Sequence, residues 1–143
     1  MVDEERLAKY IRELENYLGQ LNELKKISKE DYISDWRISY IVERTLHLSL
    51  ETFLSIGEMI ISELGFKKPD SYAEIPKILT ENKVIPQQLA EKLIDLAKFR
   101  NVLVHEYLYL DREKVYQHLF NDQEIIQEFL NCIKQFIKNI NKC

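Results

Sequence analysis

Leu7, Ile11, Leu14, Leu18 and Leu21 alternate spacings of four and three, which predicts a helix over residues 3–26 that buries a single stripe, with Asp3 as its cap. Ser28-Lys29-Glu30-Asp31 resembles a capping box and opens a long second helix over residues 31–64, closed by Gly65. Its apolar residues, among them Ile33, Trp36, Tyr40, Ile41, Leu46, Phe53, Ile56 and Ile60, run nearly all round, the mark of a central helix covered on several sides. After the Lys67-Lys68-Pro69-Asp70 turn, Ser71-Tyr72-Ala73-Glu74 reads as another capping box and starts a short helix that ends near Asn82. Pro86 suits the first position of a fourth helix that reaches Glu106 or Tyr107. Asp111 can cap a fifth, with Val115, Leu119, Ile126, Phe129, Ile133, Phe136, Ile137 and Ile140 on its core face and a bend expected at Asn121-Asp122. The architecture this predicts is all-α: an antiparallel four-helix bundle with one short accessory helix, in a single domain over residues 1–143.

Composition agrees with that pattern. Three Gly and three Pro, against 45% hydrophobic and 31% charged residues, leave few turns for a sandwich or barrel. A net charge of −4 argues against strong nonspecific nucleic-acid binding. The imbalance is uneven: residues 1–82 hold 11 Lys+Arg and 16 Asp+Glu, whereas residues 83–143 hold 9 and 8, so a polyanion is expected at the second half. Cys132 and Cys143 do not suggest a disulfide framework. The start, Met-Val-Asp-Glu-Glu, is acidic where a signal peptide is basic, and no apolar run reaches a membrane span. The expectation is a cytoplasmic chain with no membrane partner.

Several chemistries are set aside on spacing. Glu43, His47 and Glu51 form a ridge along the second helix, but a carboxylate-bridged bundle needs two Glu-x-x-His pairs and the sequence has none. The ridge reads as a solvated or internally paired strip, with no metal. His118 and Asp122, four apart without a third ligand, read as a surface pair. Lys134, Lys138 and Lys142 share an exposed face of the last helix. The eight tyrosines mostly follow helical spacing and suit core and rim packing.

What remains is Arg100. With Leu89, Leu93, Leu96, Leu103 and Val104 it falls on one helical face, and Tyr107 falls there too. The guanidinium keeps its proton, so burying it costs several kcal/mol unless acceptors meet it. Its partner is not evident from spacing.

The segment Arg100-Asn101-Val102-Leu103-Val104-His105-Glu106-Tyr107 resembles the signature of the HEPN superfamily: an Arg, an adjacent polar residue, and a His four to six residues on, near the end of a late helix. The extended Arg-x4-His-x-Tyr form is that of the HepT-like toxins, which are paired with minimal nucleotidyltransferase antitoxins. Tyr40-Ile41-Val42-Glu43-Arg44 followed by Glu51 is similar to the family's second-helix pattern, and the resemblance covers essentially the whole chain. It implies a metal-independent endoribonuclease without cofactor, cleaving an RNA substrate to 2′,3′-cyclic phosphate and 5′-hydroxyl ends. His105 would transfer protons, Arg100 would stabilise charge on the phosphate, and Asn101 would orient the phosphate or the histidine. Five residues apart on a helix, Arg100 and His105 point about 140° apart, so the shared site is expected in a homodimer formed through the motif-bearing helix. Tyr107 would accept AMP from the antitoxin, with Tyr109 a less well placed acceptor. The alternative is a non-catalytic HEPN-like subunit that presents substrate to a nucleotidyltransferase; a purely structural bundle comes third.

Overall fold

The computed structural model describes residues 3–141; the expectations for Lys142, Cys143 and the first two residues lie outside them. Helix α1 spans Glu4–Leu24, with the Asp3 carboxylate accepting from the backbone N–H of Arg6 at 3.1 Å. Its buried stripe is Leu7, Leu14, Leu18 and Leu21, the leucines of the expected seam.

The expected long second helix is two helices. Helix α2 covers Lys29–Ser34 and α3 covers Trp36–Glu63, separated by Asp35 in extended conformation at φ −104° and ψ 108°. The Asp35 carboxylate accepts from the backbone N–H of Arg37 and pairs with its guanidinium. A short acceptor that bonds locally gives the backbone an alternative to helix, and here it starts a new one. Tyr32, fully buried, donates its hydroxyl to Glu43 at 2.8 Å, while the Ser39 hydroxyl bonds the Tyr32 carbonyl across the break.

At its other end α3 closes as expected. Gly65 sits at φ +71°, where a side chain would be strained, and lets Phe66 N–H reach the Ile61 carbonyl at 2.9 Å. Helix α4 (Glu74–Glu81) does not have the expected cap: Ser71 leaves its side chain out, and Glu74 instead accepts from the backbone N–H of Asp70 at 2.7 Å. A residue with non-helical backbone must precede the first turn for the box to close. Ala73, which precedes this one, is already helical at φ −65°. Pro86 stands just before the first position of α5, which runs Gln87–His105. A 3₁₀ turn, Tyr107–Tyr109, leads to α6, Arg112–Ile140, capped by Asp111 through Glu113 N–H and Lys114 N–H. Helix α6 is continuous through Asn121-Asp122.

Helix α3 touches all five other α-helices and supplies the centre of the core. Phe53 meets Phe129 of α6 edge to face, ring centroids 5.2 Å apart. Gly57 lets α4 approach closely, since a Cβ there would stand 2.5 Å from Ile75 Cγ2. One part of α3 is not covered: Trp36 and Tyr40 at its start, with neighbouring Ile33 and Ile41, are exposed. Arg112 ties the start of α6 to this region by donating to the Ile33 carbonyl and the Ser39 hydroxyl.

Candidate active site

Arg100 is buried as its helical position requires, with its side chain 12% exposed, and its partner is Glu51 of α3. Nε donates to Glu51 Oε1 at 2.6 Å and Nη2 contacts the same oxygen. Nη1 donates to Asn101 Oδ1 at 3.0 Å, and the guanidinium carbon lies 4.5 Å from the centroid of the Tyr72 ring. A carboxylate, an amide and an aromatic face thus fix the plane of the cation.

The ridge on α3 is internally paired. Arg44 can only donate, so His47 accepts its Nη1 at Nδ1, 3.1 Å away, and His47 Nε2–H donates to Glu51 at 3.2 Å. Glu51 therefore sits between two cationic or donor groups and anchors Arg100 from the neighbouring helix. Among the described residues no three His, Cys, Asp or Glu side chains converge as metal ligands.

The remaining motif residues stand apart from that cluster. His105 ends α5 and is exposed, on another face of the helix from Arg100, as the spacing requires. Tyr107 does not continue the apolar face: α5 stops at His105, Glu106 leaves helical geometry at φ −125° and ψ 30°, and Tyr107 is 66% exposed. Tyr109 is exposed further, at 85%. The structure thus joins Arg100 and Asn101 to Glu51 and Tyr72, and separates them from His105 within one chain. No sequence signal marks Tyr72 beyond its place in an apparent helix cap.

His118 and Asp122 are not the expected surface pair. Asp122 is 1% exposed, both its oxygens lie within 3.0 Å of His118 Nδ1, and the imidazole stacks on Phe99 with ring centroids 3.5 Å apart. Helix α6 turns Asp122 toward α5, and the histidine covers it. Burial holds this carboxyl above the ordinary carboxylate range, opposed by its hydrogen bond and charge interaction with His118. The folded chain then holds a proton there more readily than the unfolded chain. This contribution to stability is complete below the unfolded pKa of about 3.9 and is lost as pH rises through the folded value. Asp122→Asn keeps an acceptor for His118 and removes the buried charge. Its melting temperature is expected to exceed the parent's by about 3–6 °C near pH 8 and to match it near pH 3. A lower melting temperature near pH 8 would show that the ion pair outweighs the cost of burial.

Lys134, from the exposed lysine face, is drawn to Glu15 of α1 at 2.8 Å, and Lys138 is exposed.

Comparison with known proteins matches the same elements. The family model described as "Ribonuclease HepT-like" matches residues 7–133. The tRNA nuclease HepT of Aphanizomenon flos-aquae is 31% identical over 100 residues, covering 70% of this chain and 68% of that protein. YutE of Bacillus subtilis is 28% identical over 111 residues, 76% of this chain and 77% of its own. The solved structure of YutE superposes with a TM-score of 0.83 over 96% of this chain and 92% of that one, at 26% identity. A tri-AMPylated HEPN toxin from Shewanella oneidensis, solved in complex with its MNT antitoxin, gives the same TM-score over 94% of this chain and 99% of that one; at 21% identity it speaks to the fold. An Arg-x4-His-x-Tyr segment at the end of the fifth helix of an all-α bundle, within a family match that runs from α1 into α6, makes this chain a member of the HepT-like ribonuclease family.

Proposed function

We propose that this chain is the toxin of a type VII-like toxin–antitoxin pair, a metal-independent endoribonuclease that a cognate nucleotidyltransferase silences by AMP transfer to Tyr107. The observation that carries the reading is Arg100, a buried cation fixed by Glu51, Asn101 and Tyr72 within a HepT-like chain. Two of its nitrogens are engaged by Glu51, and Nη1 and Nη2 keep further protons for a phosphate.

In the proposed reaction the RNA 2′-hydroxyl loses its proton to an imidazole and attacks the adjacent phosphorus. The P–O5′ bond breaks, a proton is returned to O5′, and the products are a 2′,3′-cyclic phosphate and a 5′-hydroxyl. Imidazole exchanges protons near neutral pH, which suits His105, and Arg100 stabilises the charge gathering on the phosphate oxygens. Asn101, bonded to Arg100, supports its orientation. Because Arg100 and His105 diverge within one chain, the site is assigned to a homodimer in which Arg100 of one copy works with the partner's His105. The exposed Trp36, Tyr40 and Ile41 at the start of α3 support such a contact. No helix among the described residues is long and apolar enough to cross a membrane, and the toxin is assigned to the cytoplasm.

The same divergence, with Arg100 neutralised by Glu51, favours one alternative: a HEPN-like subunit that binds substrate for a nucleotidyltransferase without cleaving it. Incubation of the purified chain with RNA in excess EDTA separates the two. Cleavage is expected to persist, and mass spectrometry should find cyclic phosphate ends. Activity lost in EDTA and restored by a divalent ion would overturn the mechanism, and RNA bound but intact would favour the alternative.

A further inference from the structure

A cavity of about 420 Å³ adjoins the motif, lined by Glu58, Pro69, Asp70, Ser71, Tyr72 and Asn101. Two of these residues also hold Arg100: Asn101 accepts from its Nη1, and Tyr72 carries its guanidinium. A phosphate drawn to Arg100 would therefore place a neighbouring part of the same nucleotide beside this cavity.

The lining specifies what part. Carboxylates of Glu58 and Asp70 accept hydrogen bonds and repel phosphate, so the cavity suits an uncharged group with donors. Pro69 and Tyr72 offer an apolar and an aromatic surface, the usual company of an unstacked base. Asn101 has its Oδ1 engaged by Arg100, which leaves its Nδ2 to donate; among the described residues no acceptor meets it. Carboxylate acceptors beside an amide donor match a base edge that carries two adjacent N–H donors next to a carbonyl. Guanine presents that edge, with N1–H, the N2 amino group and O6. Uracil presents one N–H between two carbonyls and would set an oxygen against a carboxylate.

We propose that this cavity is a guanine subsite beside the scissile phosphate, with Glu58 and Asp70 reading the N–H donors and Asn101 reading O6. The inference rests on the ribonuclease reading, and its test is built to fail separately. Titration of the wild-type chain with GMP and with UMP, followed by NMR at the Asn101 side-chain amide, is expected to show GMP binding about tenfold tighter, as a paired base contact provides. Sequencing of the ends left on a random RNA pool should place guanine next to the cleaved bond. In the Glu58→Gln/Asp70→Asn double variant, checked for native helicity by circular dichroism, both preferences should fall to near parity. Equal binding of GMP and UMP, or a guanine preference that survives in the double variant, would overturn the subsite. RNA cleaved without regard to guanine would sink the subsite and leave the nuclease standing, whereas selective GMP binding in a chain that cleaves no RNA would do the reverse.

Discussion

Arg100→Ala is expected to lower RNA cleavage by about 10²–10³-fold, the usual loss when a fixed donor to a developing charge is removed. His105→Ala is expected to lower it by about 10²–10⁴-fold, the range for general acid–base catalysis. Equal amounts of the two variants, mixed and allowed to exchange subunits, should then recover about a quarter of the parental rate: half the dimers are mixed, and each of these keeps one of two sites intact. The figure follows from a site that takes its arginine from one chain and its histidine from the other. Arg100→Lys should restore little, because one ammonium cannot engage Glu51, Asn101 and a phosphate with the fork that the guanidinium supplies. Both alanine variants should keep their helical spectra, since Glu51 retains His47 as a donor and is not left alone. A mixture no more active than its components would place both groups of each site in one chain and refute the shared cleft.

The parts of this fold that were legible in the sequence are those decided within a few residues. Asp3, Gly65 and Asp111 cap the helices their positions promise, and Ser28 caps a shorter one, because a cap is a bond between a side chain or a left-handed residue and the nearest backbone groups. Asp35 shows the limit. Ile33, Trp36 and Tyr40 carry the apolar pattern straight across it, and only the carboxylate's bond to Arg37 N–H turns the chain there. Lys83 is another case: it takes φ +61° at the end of α4, a position where glycine or asparagine is the usual signal, so that Val84 N–H can reach the Leu79 carbonyl.

For the site, the sequence shows that Arg100 needs an acceptor but not which one, since Glu51 lies 49 residues earlier and stands out only as one end of the Glu43-His47-Glu51 ridge and as part of the second-helix resemblance. The burial of Asp122 is hidden in the sequence for a related reason. A carboxylate four residues from a histidine reads as a solvated pair unless the neighbouring helix is known to cover it, and here Phe99 of α5 packs against the histidine. Tyr107 followed the face of Arg100 only on the assumption that α5 continued. The helix stops two residues earlier, and the tyrosine leaves the core for solvent.

That exposure shapes the expectation for regulation. Given ATP, the cognate nucleotidyltransferase is expected to modify Tyr107: the phenolic oxygen attacks the α-phosphorus, the bond to pyrophosphate breaks, the phenol proton is released, and the tyrosine keeps a phosphodiester-linked AMP. A hydroxyl packed on the bundle would be out of reach of a second protein's active site, whereas the Tyr107–Tyr109 turn presents its side chains to solvent. Arg112 holds the start of α6 against the α2–α3 junction, so the turn before it is tethered at both ends. Two residues from His105, the added phosphate would carry its negative charge to the place where substrate phosphate must enter, as a tethered competitor for Arg100. The modified chain should lose nearly all nuclease activity. Tyr107→Phe should cleave RNA close to the parental rate and stay active after incubation with the nucleotidyltransferase and ATP, a difference that intact-mass measurement and an RNA assay read together. Tyr109→Phe should still be modified and silenced. An adduct mapped to Tyr109, or a Tyr107→Phe chain that the partner silences in full with ATP, would show that the switch lies on another side chain.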